Sequence, residues 1–205
     1  MFRRLKKGNH GFSLIELIVC ILMLSMVMGI IGLFVGTSTK SYNLVYEDAN
    51  MQTEADIAMT YINDIAVEAK DYKAVSSYMH GSINCSALCM EAPDADNPAD
   101  PYSYYIIWRQ DDDNKLRFCK LAKSGLKSVK ADGSIASAAD IDIDATLTQA
   151  GVYSNPENFL AQYVTGFSAV VPEDTAFPVL QVTVRLKYGD SNFVSTKSIA
   201  SRNIY

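Results

Sequence analysis

The chain has 205 residues, 49% of them hydrophobic and 20% charged, with a net charge of −5 and a mean hydropathy of +0.04. That composition excludes a disordered, collagen-like or disulfide-dense chain. The acidic balance excludes broad, non-specific binding to nucleic acid or anionic lipid, which needs clustered Lys and Arg.

The amino-terminal end departs from this average. Arg3, Arg4, Lys6 and Lys7 stand together with no acid among them, and His10-Gly11-Phe12-Ser13-Leu14-Ile15-Glu16-Leu17 follows. From Leu14 to Val35 the only ionisable side chains are Glu16 and Cys20. A helix of that length matches the ~30 Å hydrocarbon core of a bilayer at ~1.5 Å per residue. The basic cluster would keep its own end in the cytoplasm and send everything after Val35 outside. Glu16 is the odd residue, because an acid inside an apolar span costs a few kcal/mol and calls for a partner. A cut between Gly11 and Phe12 would supply one. Phe12 would then carry a free amine, with Glu16 four residues along on the same helical face. In a packed array of such helices, Glu16 of one copy meets the amine of its neighbour, and any axial slip leaves two charges unpaired in lipid.

Gly11-Phe12-Ser13-Leu14-Ile15-Glu16-Leu17 after a short basic leader resembles the class III signal of type IV prepilins and type II secretion pseudopilins. The resemblance covers residues 3–35. It implies a prepilin peptidase that cuts after Gly11 and methylates Phe12, and it makes Glu16 the residue that guides subunit addition. The implied partners are other pilin or pseudopilin subunits, the peptidase, an inner-membrane assembly platform and membrane lipid. The competing readings are an ordinary secretory signal, whose apolar stretch is shorter and precedes its cleavage site, and an unprocessed single-pass anchor carrying an extracytoplasmic binding or sensor domain.

Within the span, Ser25, Gly29, Gly32 and Gly36 fall on one helical stripe, the spacing that lets membrane helices approach closely; glycine is also simply common in such helices. Major pilins often carry a proline near this depth, where this chain has Leu33. Residues 37–72 keep a helical period, with Ala55, Ala58 or Met59, Ile62, Ile65, Ala66, Ala69 and Tyr72 on one side. The expected organisation is a leader over 1–11, a transmembrane and filament-core helix over 12–36, an amphipathic continuation over 37–72, and a β-rich extracytoplasmic domain over 73–205. A helix from Phe12 to Tyr72 would be about 90 Å long.

Residues 73–101 read as a long loop, ending in Pro93-Asp94-Ala95-Asp96-Asn97-Pro98-Ala99-Asp100-Pro101. Its acids suggest calcium by the family resemblance, but they lack regular ligand spacing, and a solvated loop is the better reading. Cys85, Cys89 and Cys119 would be exported, where a disulfide can persist. The alternatives are one bridge, with Cys119 joined to Cys85 or Cys89, free thiols, or a zinc site that lacks the usual paired spacings. Tyr102–Gln110 and Leu116–Leu121 form a hairpin about Asp111-Asp112-Asp113-Asn114. Lys120, Lys123, Lys127 and Lys130 would make a basic stripe if helical. DNA is the sharper reading of that stripe and a solvated face the favoured one.

Asp140-Ile141-Asp142-Ile143-Asp144 alternates like a short edge strand, Phe159–Val164 reads as a helical turn and Phe167–Val171 as a strand, with a loop over 172–178. Leu180, Val182, Val184, Leu186 and Tyr188 alternate strictly with polar residues, and Phe193–Ile199 returns after Gly189-Asp190-Ser191-Asn192. This strand order and the closing Ser201-Arg202-Asn203 resemble J-type minor pseudopilins or the minor subunit of competence pili. The fold class is α+β, a long amino-terminal helix on an antiparallel sheet. No catalytic constellation, resident metal or cofactor is implied; the chain reads as a substrate of cleavage and methylation.

Overall fold

A computed structural model describes residues 13–94, 101–154, 158–171 and 179–202. The chain forms two compact units, Met1–Tyr46 and Glu47–Tyr205. The loop expected over 172–178, the acidic residues Asp96 and Asp100, and Asn203 lie outside the described residues.

One helix, α1 (Leu14–Glu68), supplies all the described structure of the first unit except Ser13. Every residue from Ser13 to Tyr46 is exposed. An 18-residue window of α1 has a mean hydropathy of 2.9 and is 0% buried, so it is long and apolar enough to cross a membrane. Its polar side chains turn back on their own backbone. The Ser25 hydroxyl donates to the Leu22 carbonyl at 2.8 Å, and Thr39 to that of Val35 at 2.9 Å. That leaves the apolar surface uninterrupted.

In the second unit the remainder of α1 buries Met51, Ala55, Ala58, Met59, Ile62 and Ala66. Alanines at half of these positions let strands approach the helix backbone. The helix stops at Glu68, four residues short of the expected end, because β1 (Asp71–His80) begins almost at once. Residues 73–93, expected as loop, form the rest of β1 and β2 (Ile83–Pro93), turned at Gly81 with φ +62°. Then come β3 (Tyr102–Gln110) and β4 (Lys115–Leu121), the expected hairpin. Next is α2 (Ile143–Ala150), then β5 (Phe159–Gln162), a strand where a helical turn was expected. Last come β6 (Val164–Val170), β7 (Val179–Tyr188) and β8 (Ser191–Ala200). Two antiparallel sheets result, with orders β1-β2-β3-β4-β5 and β6-β7-β8.

The five-stranded sheet is buried on both faces. Leu88, Met90, Ile107 and Leu116 pack toward α1 and the inner face of the three-stranded sheet, whose Leu180, Val182, Val184 and Leu186 alternate inward as expected. On the opposite face Cys89, Tyr104, Ile106, Trp108 and Cys119 pack under residues 126–152, in a second core with Ile141, Ile143 and Leu147. The expected strand at 140–144 is instead a 3-10 turn (Ala138–Asp140) leading into α2. Asp142 caps α2 by accepting from the Ala145 N–H, which its place before Ile143 favours over strand pairing. The chain end is tied to the end of α1: the Arg202 N–H donates to the Val67 carbonyl at 3.0 Å, and the Ser201 hydroxyl donates to that of Ala69. The fold is α+β, a long apolar helix whose second part packs on antiparallel sheets.

Candidate functional site

At the start of α1 the Ser13 N–H donates to Glu16 Oε2 at 3.0 Å, and the Ile15 N–H donates to Ser13 Oγ at 3.4 Å. The Leu17 N–H donates to the Ser13 carbonyl at 3.1 Å. Glu16 therefore makes the carboxylate half of a Ser-x-x-Glu capping box, while Ser13 Oγ caps the Ile15 N–H one residue earlier than the reciprocal pairing would. Sequence reasoning sought a partner for Glu16 and overlooked this one, although the spacing is legible in Ser13-Leu14-Ile15-Glu16. The cap engages Oε2; a carboxylate has two oxygens and room for further donors. Gly11 and Phe12 lie outside the described residues. On the exposed face of α1, a Cβ built on Gly29, Gly32 or Gly36 would meet nothing within 4 Å, so none of the described residues needs these glycines to be small.

Cys85, Cys89 and Cys119 are free and buried. The bridge expected of Cys119 with Cys85 or Cys89 is not formed, for a geometric reason. Cys89 and Cys119 both pair with Ile106, from opposite sides. With β3 between them, their Cα atoms stand about two strand spacings apart, ~9.5 Å, beyond the ~7 Å that a disulfide spans. Cys85 pairs with Gln110, farther along the sheet. Burial pushes the Cys119 thiol up to about 12 and raises those of Cys85 and Cys89. Thiolate is the reactive form, so iodoacetamide at pH 8 is expected to leave all three unmodified in the folded protein and to label them after denaturation without reductant. A cysteine among them that reacts only once reductant is added would contradict the free-thiol arrangement. Among the described residues no group of three His, Cys, Asp or Glu could hold a metal ion.

The expected basic stripe does not form. Lys120 belongs to β4 and Lys123 to a 3-10 turn, and the segment beyond is irregular. Lys120 pairs with Asp94 at 2.9 Å, and Lys130 with Asp140 at 2.7 Å. Hydrogen bonds from Lys130 and from the Ala136 and Ser137 N–H groups hold the Asp140 carboxyl below the usual carboxylate range. The side chains read as a DNA patch are thus spread over separate elements, and two of them are neutralised within the chain.

One polar cluster has no local signal in the sequence. Asp144 Oδ1 accepts from His80 Nδ1 at 2.8 Å and from the Tyr153 hydroxyl at 2.9 Å. The Tyr153 and His80 rings stack at 3.8 Å, and the Tyr78 hydroxyl lies 3.1 Å from that of Tyr153. Burial pushes both tyrosines upward, so they stay neutral donors. The cluster pins α2 to the β1–β2 hairpin, with the buried Cys85 thiol beside Tyr78.

A family profile described as a prokaryotic N-terminal methylation motif matches residues 6–32. Comparison with curated proteins and with solved structures gives no significant match. The matched stretch takes in the Ser13–Glu16 cap and most of the apolar run of α1, the part long and apolar enough to cross a membrane.

Proposed function

From a chain that carries the class III signal of the type IV prepilin and pseudopilin family, we propose a structural subunit of a pilin-like filament, matured by cleavage between Gly11 and Phe12 and methylated at Phe12. The leader stays in the cytoplasm and the second unit lies outside the cytoplasmic membrane, as the basic flank requires. Glu16 receives the amine of a neighbouring subunit. Ser25, Gly29, Gly32 and Gly36 face adjacent helices, where their small side chains permit close packing. Other pilin-type subunits, the peptidase and an inner-membrane platform are its partners. Within the family, the final hairpin and the Arg202-Asn203 ending favour a minor subunit, of the J type or of a competence pilus.

The observation that carries this reading is an acid held at the head of a fully exposed apolar helix, inside the methylation motif. In an unprocessed anchor it would serve as a helix cap alone. Gly11→Ala is expected to block or slow maturation, so that the membrane-extracted chain keeps residues 1–11 by intact mass and is missing from filaments sheared off the cells. Normal processing of that variant would contradict the assigned cleavage site.

A further inference from the structure

The charges of the second unit are sorted by element. From Glu47 to Glu68, α1 contains Glu47, Asp48, Glu54, Asp56, Asp64 and Glu68, and no Lys or Arg. Strands β6, β7 and β8 contain Arg185, Lys187 and Lys197, and no Asp or Glu. Each surface also carries apolar side chains that none of the described residues covers. On α1, a groove of about 530 Å³ is lined by Ile57, Tyr61 and Leu160 between Asp56 and Asp64. Ile57 is 52% exposed, and neither aspartate makes an ion pair among the described residues. On the three-stranded sheet, Arg185 pairs with Val194 and Lys187 with Asn192, all four on the face turned away from the core. Val194 is 58% exposed, and Val170 on the same face is 50% exposed.

We propose that the α1 groove docks onto the outer face of the β6-β7-β8 sheet of a second copy of this chain, with Asp56 and Asp64 facing Arg185 and Lys187 and Ile57 set against Val194. The two surfaces are opposite in charge and each offers an exposed apolar side chain, Ile57 on one and Val194 on the other, and such complementarity sets partner choice and register. Neither can pair with itself. Groove on groove brings acids together and sheet on sheet brings bases together, so a closed two-fold dimer is disfavoured. A contact between two different patches is heterologous, and unless its rotation closes a ring it propagates along an open helix, as a filament requires. The proposal rests on the filament reading and adds to it: one chain supplies both surfaces, so where two copies of this minor subunit enter a filament they sit next to each other.

The test uses the full chain in its own cells, with Cys20→Ala so that the remaining native thiols are the buried ones. Ile57→Cys and Val194→Cys are introduced together, and a short bismaleimide is applied to sheared filaments and to membranes. A ladder of dimers and higher oligomers is expected, at least about fivefold above either single variant. Charge reversal by Asp56→Lys with Asp64→Lys should remove the ladder, and Arg185→Asp with Lys187→Asp added to it should restore it. Intact mass run in parallel separates the two claims. A processed chain present in filaments but giving no ladder, or one not restored by the second reversal, overturns the docking proposal and leaves the filament reading standing. Cross-links to a different protein alone overturn the second copy as occupant. A ladder between chains that keep residues 1–11 and never reach filaments supports the docking and overturns the filament reading; no ladder and no processing overturns both.

Discussion

Glu16→Ala is expected to insert and be processed like the wild type, while its share in sheared filaments falls by about tenfold or more. The size follows from the environment. A carboxylate meeting an amine at the edge of the hydrocarbon replaces two unpaired charges, each costing a few kcal/mol there, and about 1.4 kcal/mol already corresponds to tenfold in an equilibrium. The structure adds a second role for the same side chain, since Glu16 Oε2 accepts from the Ser13 N–H. Losing such a cap costs about 1 kcal/mol of helix stability. Glu16→Gln separates the roles, because its amide oxygen still accepts from Ser13 while the charge is gone. It is expected to fail in assembly as Glu16→Ala does. Blotting sheared and membrane fractions for each variant checks this. A Gln variant that assembles at wild-type level would reduce Glu16 to a helix cap.

The largest expected effect on stability lies in the second core. Trp108 is fully buried, between the five-stranded sheet and the segment that carries α2, with the Tyr153 ring edge-on at 6.1 Å. Trp108→Ala removes the largest side chain of that core and should cost about 3–5 kcal/mol, lowering the melting temperature by roughly 10 °C for a chain of this size. Trp108→Phe should cost much less. It keeps most of the ring volume and deletes an indole N–H that has no hydrogen-bond partner in the core. Thermal melts of the full chain in detergent, followed by near-ultraviolet circular dichroism, compare the two. Equal losses would mean that the segment over Trp108 is not packed as described.

The legible parts of the fold are those where one physical demand acts alone. The apolar run of α1 answers only to lipid or to other helices. Strands β7 and β8 have one wet face and one dry face, so Leu180, Val182, Val184 and Leu186 announce themselves by alternation. Strand β2 was hidden because Cys85 through Ala92 are all buried, on both faces, which erases the period of two. Its neighbour β1 lies at a sheet edge and is mostly half-buried, so it shows no clean pattern either. The Ile-Asp alternation at 140–144 imitated a strand, while Asp142 was in fact a helix cap.

The site divides in the same way. Gly11, Phe12 and Glu16 form a contiguous motif and could be read directly. The Ser13–Glu16 cap is equally local, but the motif directs Glu16 to a partner outside the chain and so draws attention away from it. The His80, Asp144 and Tyr153 cluster joins residues far apart in sequence, and only the placement of α2 on the β1–β2 hairpin brings them together. The disulfide expectation failed on register: the thiols share a sheet face, with a whole strand between them.

The account stands on a freed amine at Phe12, and intact-mass and amino-terminal sequencing of the chain recovered from cells with a working prepilin peptidase tests it most directly. The expected product begins at an N-methylated Phe12. A chain that still carries residues 1–11 in those cells would contradict it.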